Sequence, residues 1–396
     1  MPIEIDSSFP GGNIVVEGID RDEVRVHQDL RDTSSDWFYW CFRVRGAEGR
    51  TLRFTFTKSR ALGVRGPAVS RDEGETWNWL GSDAVNDGAF SYTFPEDKAW
   101  VRLSFAMPYQ ESNWRRFMKG LGNNAAVSTH TLCTTAKGRA VEYELLGGQN
   151  PEPRHRVAIT CRHHCCEMMA NYTLEGLLRW VLTENDAEAQ WFREEVAMMV
   201  VPFVDKDGVE EGDQGKNRRP RDHARDYEGK SLYASTAAIR GLLPEWGGDR
   251  LRVGLDLHCP GIAGEHNEVI YVVGLSDQRN AREQNRFTEI LESVCTGPLP
   301  FHAVNFLPFG QAWNNTDNYT AGKTFPQWVV AELSGAALSL PIEIPYANAG
   351  GAEVNQSSLR LFGKDLGRAL ASYLRTLPTT GAQQGNALDR RLRAGE

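Results

Sequence analysis

The sequence predicts an α/β domain preceded by an antiparallel β-sandwich, and two observations support this prediction. From Trp37 to Phe105 the chain repeats short runs of β-branched and aromatic residues, separated by Gly, Asp and Asn turns. From Arg154 onward, apolar strand candidates alternate with segments whose apolar residues recur at helical spacing. This second texture is typical of a mainly parallel mixed sheet with helices on both faces.

These two sequence patterns, the segment between them and the tail divide the 396 residues into four segments. We predict an N-terminal β-sandwich domain over residues 1–120, with strand candidates WFYWCFRVRG, TLRFTFT and AWVRLSFAMPY. Residues 121–153 are predicted to connect it to the α/β domain, which spans 154–377. The tail, 378–396, is polar and rich in Gly, Gln and Arg, so we expect it to be disordered.

Four apolar runs are the strand candidates of the α/β domain, in the order RHRVAITC, EVAMMVVPFV, LRVGLDLH and LSLPIEIPY. A helical pattern, CEMMANYTLEGLLRWVL, follows the first run, and a second helical stretch from Ala237 to Leu243 precedes the third. Because strands separated by helices pair in parallel, we expect these runs to share one sheet.

Composition excludes several classes of protein. No apolar run approaches the ~20 residues that cross a bilayer, and MPIEIDSSFPGG lacks the pattern of a secretory signal. The odd count of seven cysteines favours reduced thiols, and the formal net charge of −8 argues against nucleic acid as the main partner. We therefore expect a cytoplasmic protein with no membrane or nucleic-acid partner; nothing in the sequence indicates its oligomeric state.

The stretch CRHHCCE, Cys161 to Glu167, predicts a metal site beyond the first of these strands. His164 and Glu167 are three residues apart on a first helical turn, so their side chains can face one point. His258 closes LRVGLDLH and supplies a third ligand from another strand end. Three N or O ligands are what a catalytic zinc takes from a protein, so these residues are predicted to hold one.

The residues between and before the ligands have a simpler interpretation. Cys165 and Cys166 lie between the two helical ligands and cannot converge with them on one ion, so we expect them to be buried as small hydrophobic residues. His163 points away from His164 if the strand continues, which places it in the core or behind the metal site.

The ligand pattern resembles that of zinc metallocarboxypeptidases, which add a glutamate on the last apolar strand. WFYWCFRVRG, GVRGPAVSRDEGETW and FAMPYQESNWRRFM are similar to the N-terminal β-sandwich of the cytosolic carboxypeptidase subfamily, here in a bacterial-type form. VPFVDKDGVEEGDQGKNRRPRDHARDY is similar to its loop from Asn-Pro-Asp-Gly-Val through Asp-Leu-Asn-Arg. The resemblance runs from about Trp37 to Pro345. It implies a hydrolase with one zinc ion per chain that removes the C-terminal residue of a peptide or protein tail.

The resemblance also identifies a general base. Glu343, in PIEIPYA at the end of an apolar strand, matches the family position. Glu332, in VVAELSG, is the competitor, but it lies in a helical stretch where a solvated glutamate is the ordinary interpretation. We predict that Glu343 is the base.

The loop KNRRPRDHAR is expected to bind the substrate. The resemblance implies that Arg225 binds the terminal carboxylate of the substrate. It also implies that Arg218 or Arg219 stabilises the oxyanion, and we choose Arg218. His223 is a further substrate-binding candidate. Ala224 departs from the family, which has Asn there. Five Lys or Arg in these ten residues would favour an acidic C-terminal residue.

Two other functions remain open. One is a zinc-dependent deacylase of small acylated amino acids, which would share the zinc and the base. The other is a catalytically inactive protein that binds a peptide or glycan. The sequence has no His-Glu-x-x-His, Gly-rich phosphate loop or Gly-x-Ser-x-Gly motif, which removes several rival chemistries.

Overall fold

The computed structural model describes residues 2–58, 61–122, 125–147 and 152–378. The tail that is predicted to be disordered, 378–396, lies outside these ranges apart from Pro378. Among the described helices, none has the length and apolar character needed to cross a membrane.

Ten strands and one helix form the N-terminal part of the described chain. The strands are β1 (Glu4–Asp6), β2 (Val15–Asp20), β3 (Glu23–His27), β4 (Cys41–Arg45), β5 (Thr51–Phe56), β6 (Ala68–Ser70), β7 (Asn78–Trp79), β8 (Val85–Asn86), β9 (Ala89–Thr93) and β10 (Trp100–Ser104), and the helix is α1 (Glu111–Gly120).

These strands form two five-stranded sheets, in the orders β1-β4-β10-β6-β7 and β2-β3-β5-β9-β8. Neighbouring strands are antiparallel except β3 and β5, which pair in parallel. The two sheets contact each other through aromatic rings, as the 5.4 Å between the centroids of Phe42 and Phe54 shows. The predicted antiparallel N-terminal sheets are thus present, with one parallel pair.

The remaining described residues form nine strands and seven helices. The strands are β11 (Val127–Thr134), β12 (Ala140–Leu146), β13 (His155–Cys161), β14 (Val196–Val201), β15 (Leu251–His258), β16 (Tyr271–Val272), β17 (Leu338–Glu343), β18 (Asn348–Ala349) and β19 (Ala352–Glu353). The helices are α2 (Met169–Thr183), α3 (Ala187–Glu195), α4 (Lys206–Glu211), α5 (Ala234–Gly247), α6 (Gln278–Val294), α7 (Phe325–Glu332) and α8 (Gln356–Arg375).

A mixed seven-stranded sheet, in the order β11-β12-β14-β13-β15-β17-β16, forms the centre of this second part. The four apolar runs became β13, β14, β15 and β17, which pair in parallel as predicted. Successive residues of β13 face opposite sides of the sheet. Val157 and Ile159 pack in the core that includes α2 and α8, whereas Ala158 packs in the core that includes α5 and α7. Helices therefore cover both faces.

The structure corrects the prediction that residues 121–153 only connect the two parts. They supply β11 and β12, which extend the central sheet at one edge because β12 pairs antiparallel with β14. The residues of β11 are exposed or half-buried. An edge strand with so little burial carries polar residues, so it lacks the apolar run by which the other strands are predicted.

Candidate metal centre and active site

Two neighbouring parallel strands bring the predicted metal ligands together. β13 leads into the turn that carries His164 and Glu167, and the next strand, β15, ends at His258. Nδ1 of His164 lies 2.9 Å from Oε1 of Glu167, and Nδ1 of His258 lies 2.7 Å from Oε2 of the same carboxylate. One donor atom from each of the three buried residues lies within 4.8 Å of the others. This arrangement places three convergent donors at one point.

Carboxylates behind the histidines fix which ring nitrogen faces that point. Nε2 of His258 is 2.7 Å from Oδ2 of Asp256, and Nε2 of His164 is 3.5 Å from Asp222. Both rings therefore turn Nδ1 toward Glu167. A carboxylate behind a ligating imidazole is the usual support of a metal site, and two N donors with one carboxylate fit zinc.

A second group of possible ligands, His163 with Asp256 and His258, overlaps the first. His163 is fully buried, and its Nδ1 and Nε2 lie 2.9 Å from Asp256 and 2.7 Å from the hydroxyl of Tyr227. Burial by itself would raise the pKa of Asp256, but His163 and His258 hold it well below its ordinary range. His163 thus supports Asp256 from behind the metal site, which agrees with one of the two positions expected for it.

Arg162 shapes the turn that carries the ligands. It has a φ of 63°, and its buried guanidinium donates to the carbonyl of Cys165 at 2.9 Å, to that of Tyr109 at 2.8 Å and to Oδ1 of Asn171 at 2.7 Å. Arg162 thus closes the turn through its bond to Cys165 and links the turn to the N-terminal part of the chain through its bond to Tyr109. Sequence reasoning missed this role, since an arginine beside two histidines carries no pattern that predicts burial.

The two cysteines between the ligands are buried, as expected. Burial raises the pKa of the Cys166 thiol to about 12 and that of the Cys165 thiol well above its ordinary value. Both are therefore neutral thiols near pH 7, which is not the thiolate form in which cysteine binds metals.

Glu343 lies beside the ligands. It ends β17, and the sheet register pairs it with His258 on one side and with Tyr271 on the other. Burial raises its pKa above the ordinary value, although the positive charges of Lys216 and His258 oppose the shift. Its Oε2 atom is buried and has no hydrogen-bond partner among the described residues. Glu332 instead is exposed at the end of α7 and borders a different surface groove.

A cleft of about 610 Å³ opens over these residues. Its floor is made by alternate residues of three neighbouring strands, in two rows. The catalytic row contains His258, Glu343 and Tyr271. The deep row contains Asp256, Pro341 and Val273, where Asp256 pairs with Pro341 and the Val273 amide donates to the Pro341 carbonyl.

The deep row offers no free charge. Oδ1 of Asp256 faces Thr160 and His163, and Oδ2 faces His258, so both oxygens are occupied. Leu275 and Pro326, both buried, extend the apolar lining. The recess two residues behind the catalytic row, about 7 Å away at the ordinary strand rise, is therefore lined by apolar side chains and by one carboxylate that is already paired.

The contacts of Arg218 do not support the oxyanion role that was predicted for it. Its guanidinium is held by three carboxylates: Nε lies 3.0 Å from Asp32, Nη1 lies 2.5 Å from Asp205, and Nη2 lies 2.9 Å from Asp213. An arginine whose three nitrogens each bind a carboxylate cannot turn toward a substrate oxygen without breaking several charge-assisted bonds. Its contacts identify it as a structural residue.

Lys216, two residues earlier, reaches the site instead. Its Nζ lies 3.1 Å from Oε1 of Glu167 and 4.7 Å from the centroid of the Trp37 ring, and the side chain lines the cleft. Burial would lower the pKa of Lys216, but the negative charge of Glu167 raises it above the ordinary value, so the side chain stays charged. Sequence reasoning placed Lys216 in the basic loop without giving it a role.

The other predicted loop residues divide into two groups. Arg225 lines the cleft, where its Nε donates to the Asn318 carbonyl at 3.2 Å and its guanidinium lies over the ring of Tyr319. Arg219 also lines the cleft and is exposed at its rim. His223 is not at the cleft surface. Its ring is buried and stacks on Tyr233 at 3.6 Å, and burial lowers its pKa to about 4, so the substrate-binding role expected for His223 is corrected.

Comparison with known proteins shows what this chain is similar to. Residues 115–257 match the family model described as zinc carboxypeptidase, a range that includes His164 and Glu167. This part of the chain is therefore similar to a zinc carboxypeptidase domain.

Its curated relatives are distant and longer. An uncharacterized protein of Zymomonas mobilis is 25% identical over 218 residues, which cover 52% of this chain and 55% of that protein. Bovine cytosolic carboxypeptidase 3 is 25% identical over 346 residues, which cover 76% of this chain and 34% of the bovine protein. The matches thus span about half or less of the relatives' own length.

Solved structures share the fold over nearly the whole chain. A metallo-carboxypeptidase from Burkholderia cenocepacia superposes with a TM-score of 0.78 at 22% identity and covers 95% of this chain and 100% of its own. The metallo-carboxypeptidase from Pseudomonas aeruginosa in complex with (2-guanidinoethylmercapto)succinic acid gives 0.74 at 20% identity, over 94% and 100% of the two chains. The chain has the metallocarboxypeptidase fold, as its sequence predicted.

Proposed function

We propose that this protein is a zinc carboxypeptidase, which hydrolyses the last peptide bond of a peptide or protein with a free C-terminus. The observation that supports it best is the convergence of His164, Glu167 and His258 beside the buried, unpaired Glu343 in a cleft that also contains Arg225. A metal site with an adjacent base serves any amide hydrolysis. The arginine in the same cleft adds a partner for a terminal carboxylate.

His164, Glu167 and His258 would hold one zinc ion per chain, which supplies a Lewis acid and a water activated at neutral pH. Glu343 takes the proton from the attacking water and later gives it to the leaving amine. A carboxylate with a raised pKa is suited to both steps, because it accepts a proton more readily than an ordinary carboxylate and can still give it up. Arg225 holds the terminal carboxylate, with Arg219 at the rim in reach of the incoming chain.

Lys216 would stabilise the oxyanion in place of Arg218. Its ammonium is next to the ligand Glu167, interacts with Glu343 and faces the cleft, so it lies where negative charge develops on the scissile carbonyl.

We expect Lys216→Met to lower kcat by about 100-fold, the usual effect of removing one donor to an oxyanion. Zinc content, measured by mass spectrometry of the metal, should stay near one ion per chain. Lys216→Arg, which keeps the charge, should recover much of the lost rate. If Lys216→Met keeps more than half of the wild-type kcat, Lys216 has no part in the reaction.

The deep row, which is apolar apart from the paired Asp256, favours an apolar C-terminal residue. The basic loop had suggested an acidic one, but Arg218 is bound by three aspartates and Arg221 by Asp226 at 2.8 Å. Burying a Leu or Phe side chain contributes about 1.5–3 kcal/mol, which corresponds to roughly 10- to 100-fold in kcat/KM. An acidic side chain in the same recess would lose its hydration without gaining a partner.

A panel of pentapeptides that differ only in the last residue tests the function and this preference together. We expect Leu- and Phe-ended peptides to be hydrolysed at least 10-fold better than Glu- and Lys-ended ones. The corresponding acetylated amino acids serve as the matched controls. If these small substrates are hydrolysed and the pentapeptides are not, the protein is a deacylase, and if neither class reacts with zinc-loaded protein, it is the inactive binding protein.

A cytoplasmic location is part of the proposal. All seven cysteines are free thiols, which suits a reducing compartment, and several curated relatives are named cytosolic carboxypeptidases.

A further inference from the structure

Two loops from different parts of the chain meet beside the metal centre. The bracing segment, residues 29–39, connects β3 to β4 in the N-terminal part, and the catalytic loop, residues 213–218, carries Lys216. Every residue of the catalytic loop contacts the bracing segment. The contacts are Asp213 with Arg31, Gln214 with Asp32 and Tyr39, Gly215 with Asp32, Lys216 with Trp37, Asn217 with Ser34, and Arg218 with Asp32.

Asp32 makes three of these contacts with a side chain that is only 9% exposed. Its Oδ1 accepts the amide of Gln214 at 2.9 Å, and its Oδ2 accepts the amide of Gly215 at 2.8 Å and Nε of Arg218 at 3.0 Å. Only an ionised carboxylate offers acceptors on both atoms to two successive amides and a cation. Asp32 thus fixes the backbone directly before Lys216.

The catalytic loop in turn rests on the metal-binding turn. The carbonyl of Gln214 accepts the amide of Cys166 at 3.3 Å. Gly215, with a φ of 81°, lies so close that an added Cβ would be 2.3 Å from the amide nitrogen of Cys165. A shift of this loop would therefore move both Lys216 and the turn that carries the ligands.

We infer that Asp32 is a positioning residue for hydrolysis: it holds the catalytic loop so that the Lys216 ammonium stays beside the scissile carbonyl. The N-terminal part of the chain thereby completes the active site instead of serving as a separate binding module. The inference rests on the proposed function, because it takes from it the role of Lys216.

The test compares Asp32→Asn with Asp36→Asn. Both make the same chemical change in the bracing segment, but Asp36 is exposed and accepts a long hydrogen bond of 3.4 Å from Gln28. In Asp32→Asn an NH2 group must face one of the backbone donors. We expect faster hydrogen–deuterium exchange in peptides covering residues 213–218, and a kcat lowered by about 30-fold with zinc content and KM within twofold of wild type. Asp36→Asn should match wild type in all four readouts.

A double-mutant cycle separates positioning from general loss of structure. If Asp32 acts through Lys216, then Asp32→Asn should cost less than threefold in kcat when Lys216→Met is already present. A full 30-fold loss in that background, or unchanged exchange at residues 213–218 in Asp32→Asn, would overturn the inference. If wild-type protein hydrolyses no peptide, the proposed function fails instead, and the exchange measurement still decides whether Asp32 holds the loop.

Discussion

Glu343→Gln is expected to lower kcat by at least about 1,000-fold while the protein keeps its zinc. The amide has the size of the carboxylate but cannot accept a proton, so the change removes general base catalysis and little else. Steady-state kinetics on a Leu-ended pentapeptide, with metal analysis of the same samples, measures both effects. KM should change little, since Glu343 lies beside the scissile bond and away from the groups that hold the terminal carboxylate.

Glu332→Gln is the matched control for this variant. It makes the same substitution in the competing glutamate, which is exposed and outside the cleft. We expect its kcat to equal that of wild type. Loss of turnover in Glu332→Gln together with normal turnover in Glu343→Gln would show that the base was wrongly assigned.

His258→Ala should have the second large effect, the loss of bound zinc. A site with three protein ligands loses most of its affinity when one ligand is removed, so dialysed protein should contain less than about 0.1 zinc per chain, compared with one in wild type. The fold should survive, because a core of this size does not depend on a metal.

The control for this experiment is His302→Ala, which removes a histidine whose side chain is 58% exposed and pairs with Glu292. It should keep full zinc and full activity. Circular dichroism should give the same spectrum for wild type and both variants. Retention of stoichiometric zinc by His258→Ala would contradict the ligand assignment.

The sequence predicted the part of the site that is built on strand ends. β13, β15 and β17 are apolar because both faces are covered by helices, so each run stops where the sheet meets solvent. His258 and Glu343 are the last residues of β15 and β17, and His164 follows the end of β13. Because parallel strands end at the same edge, the three residues had to meet once the strands were assigned correctly.

The loop residues could not be predicted in the same way. The role of Arg218 depends on Asp32, which is 186 positions earlier in the chain, in the segment between β3 and β4. No local pattern shows whether an arginine already has partners, so the resemblance to a family selected an arginine that three carboxylates already hold. His223 was misassigned for a related reason, since its stacking on Tyr233 turns the ring into the core.

Carboxypeptidase activity is distinguished from other amide hydrolysis by one pentapeptide in two forms, with a free C-terminus and with a C-terminal amide. Both are incubated with zinc-loaded protein and analysed by mass spectrometry. We predict that the free acid loses its single last residue, and that the amide reacts at least about 100-fold more slowly because Arg225 finds no carboxylate to bind. Equal cleavage of the two forms, or cleavage at an internal bond, would contradict it.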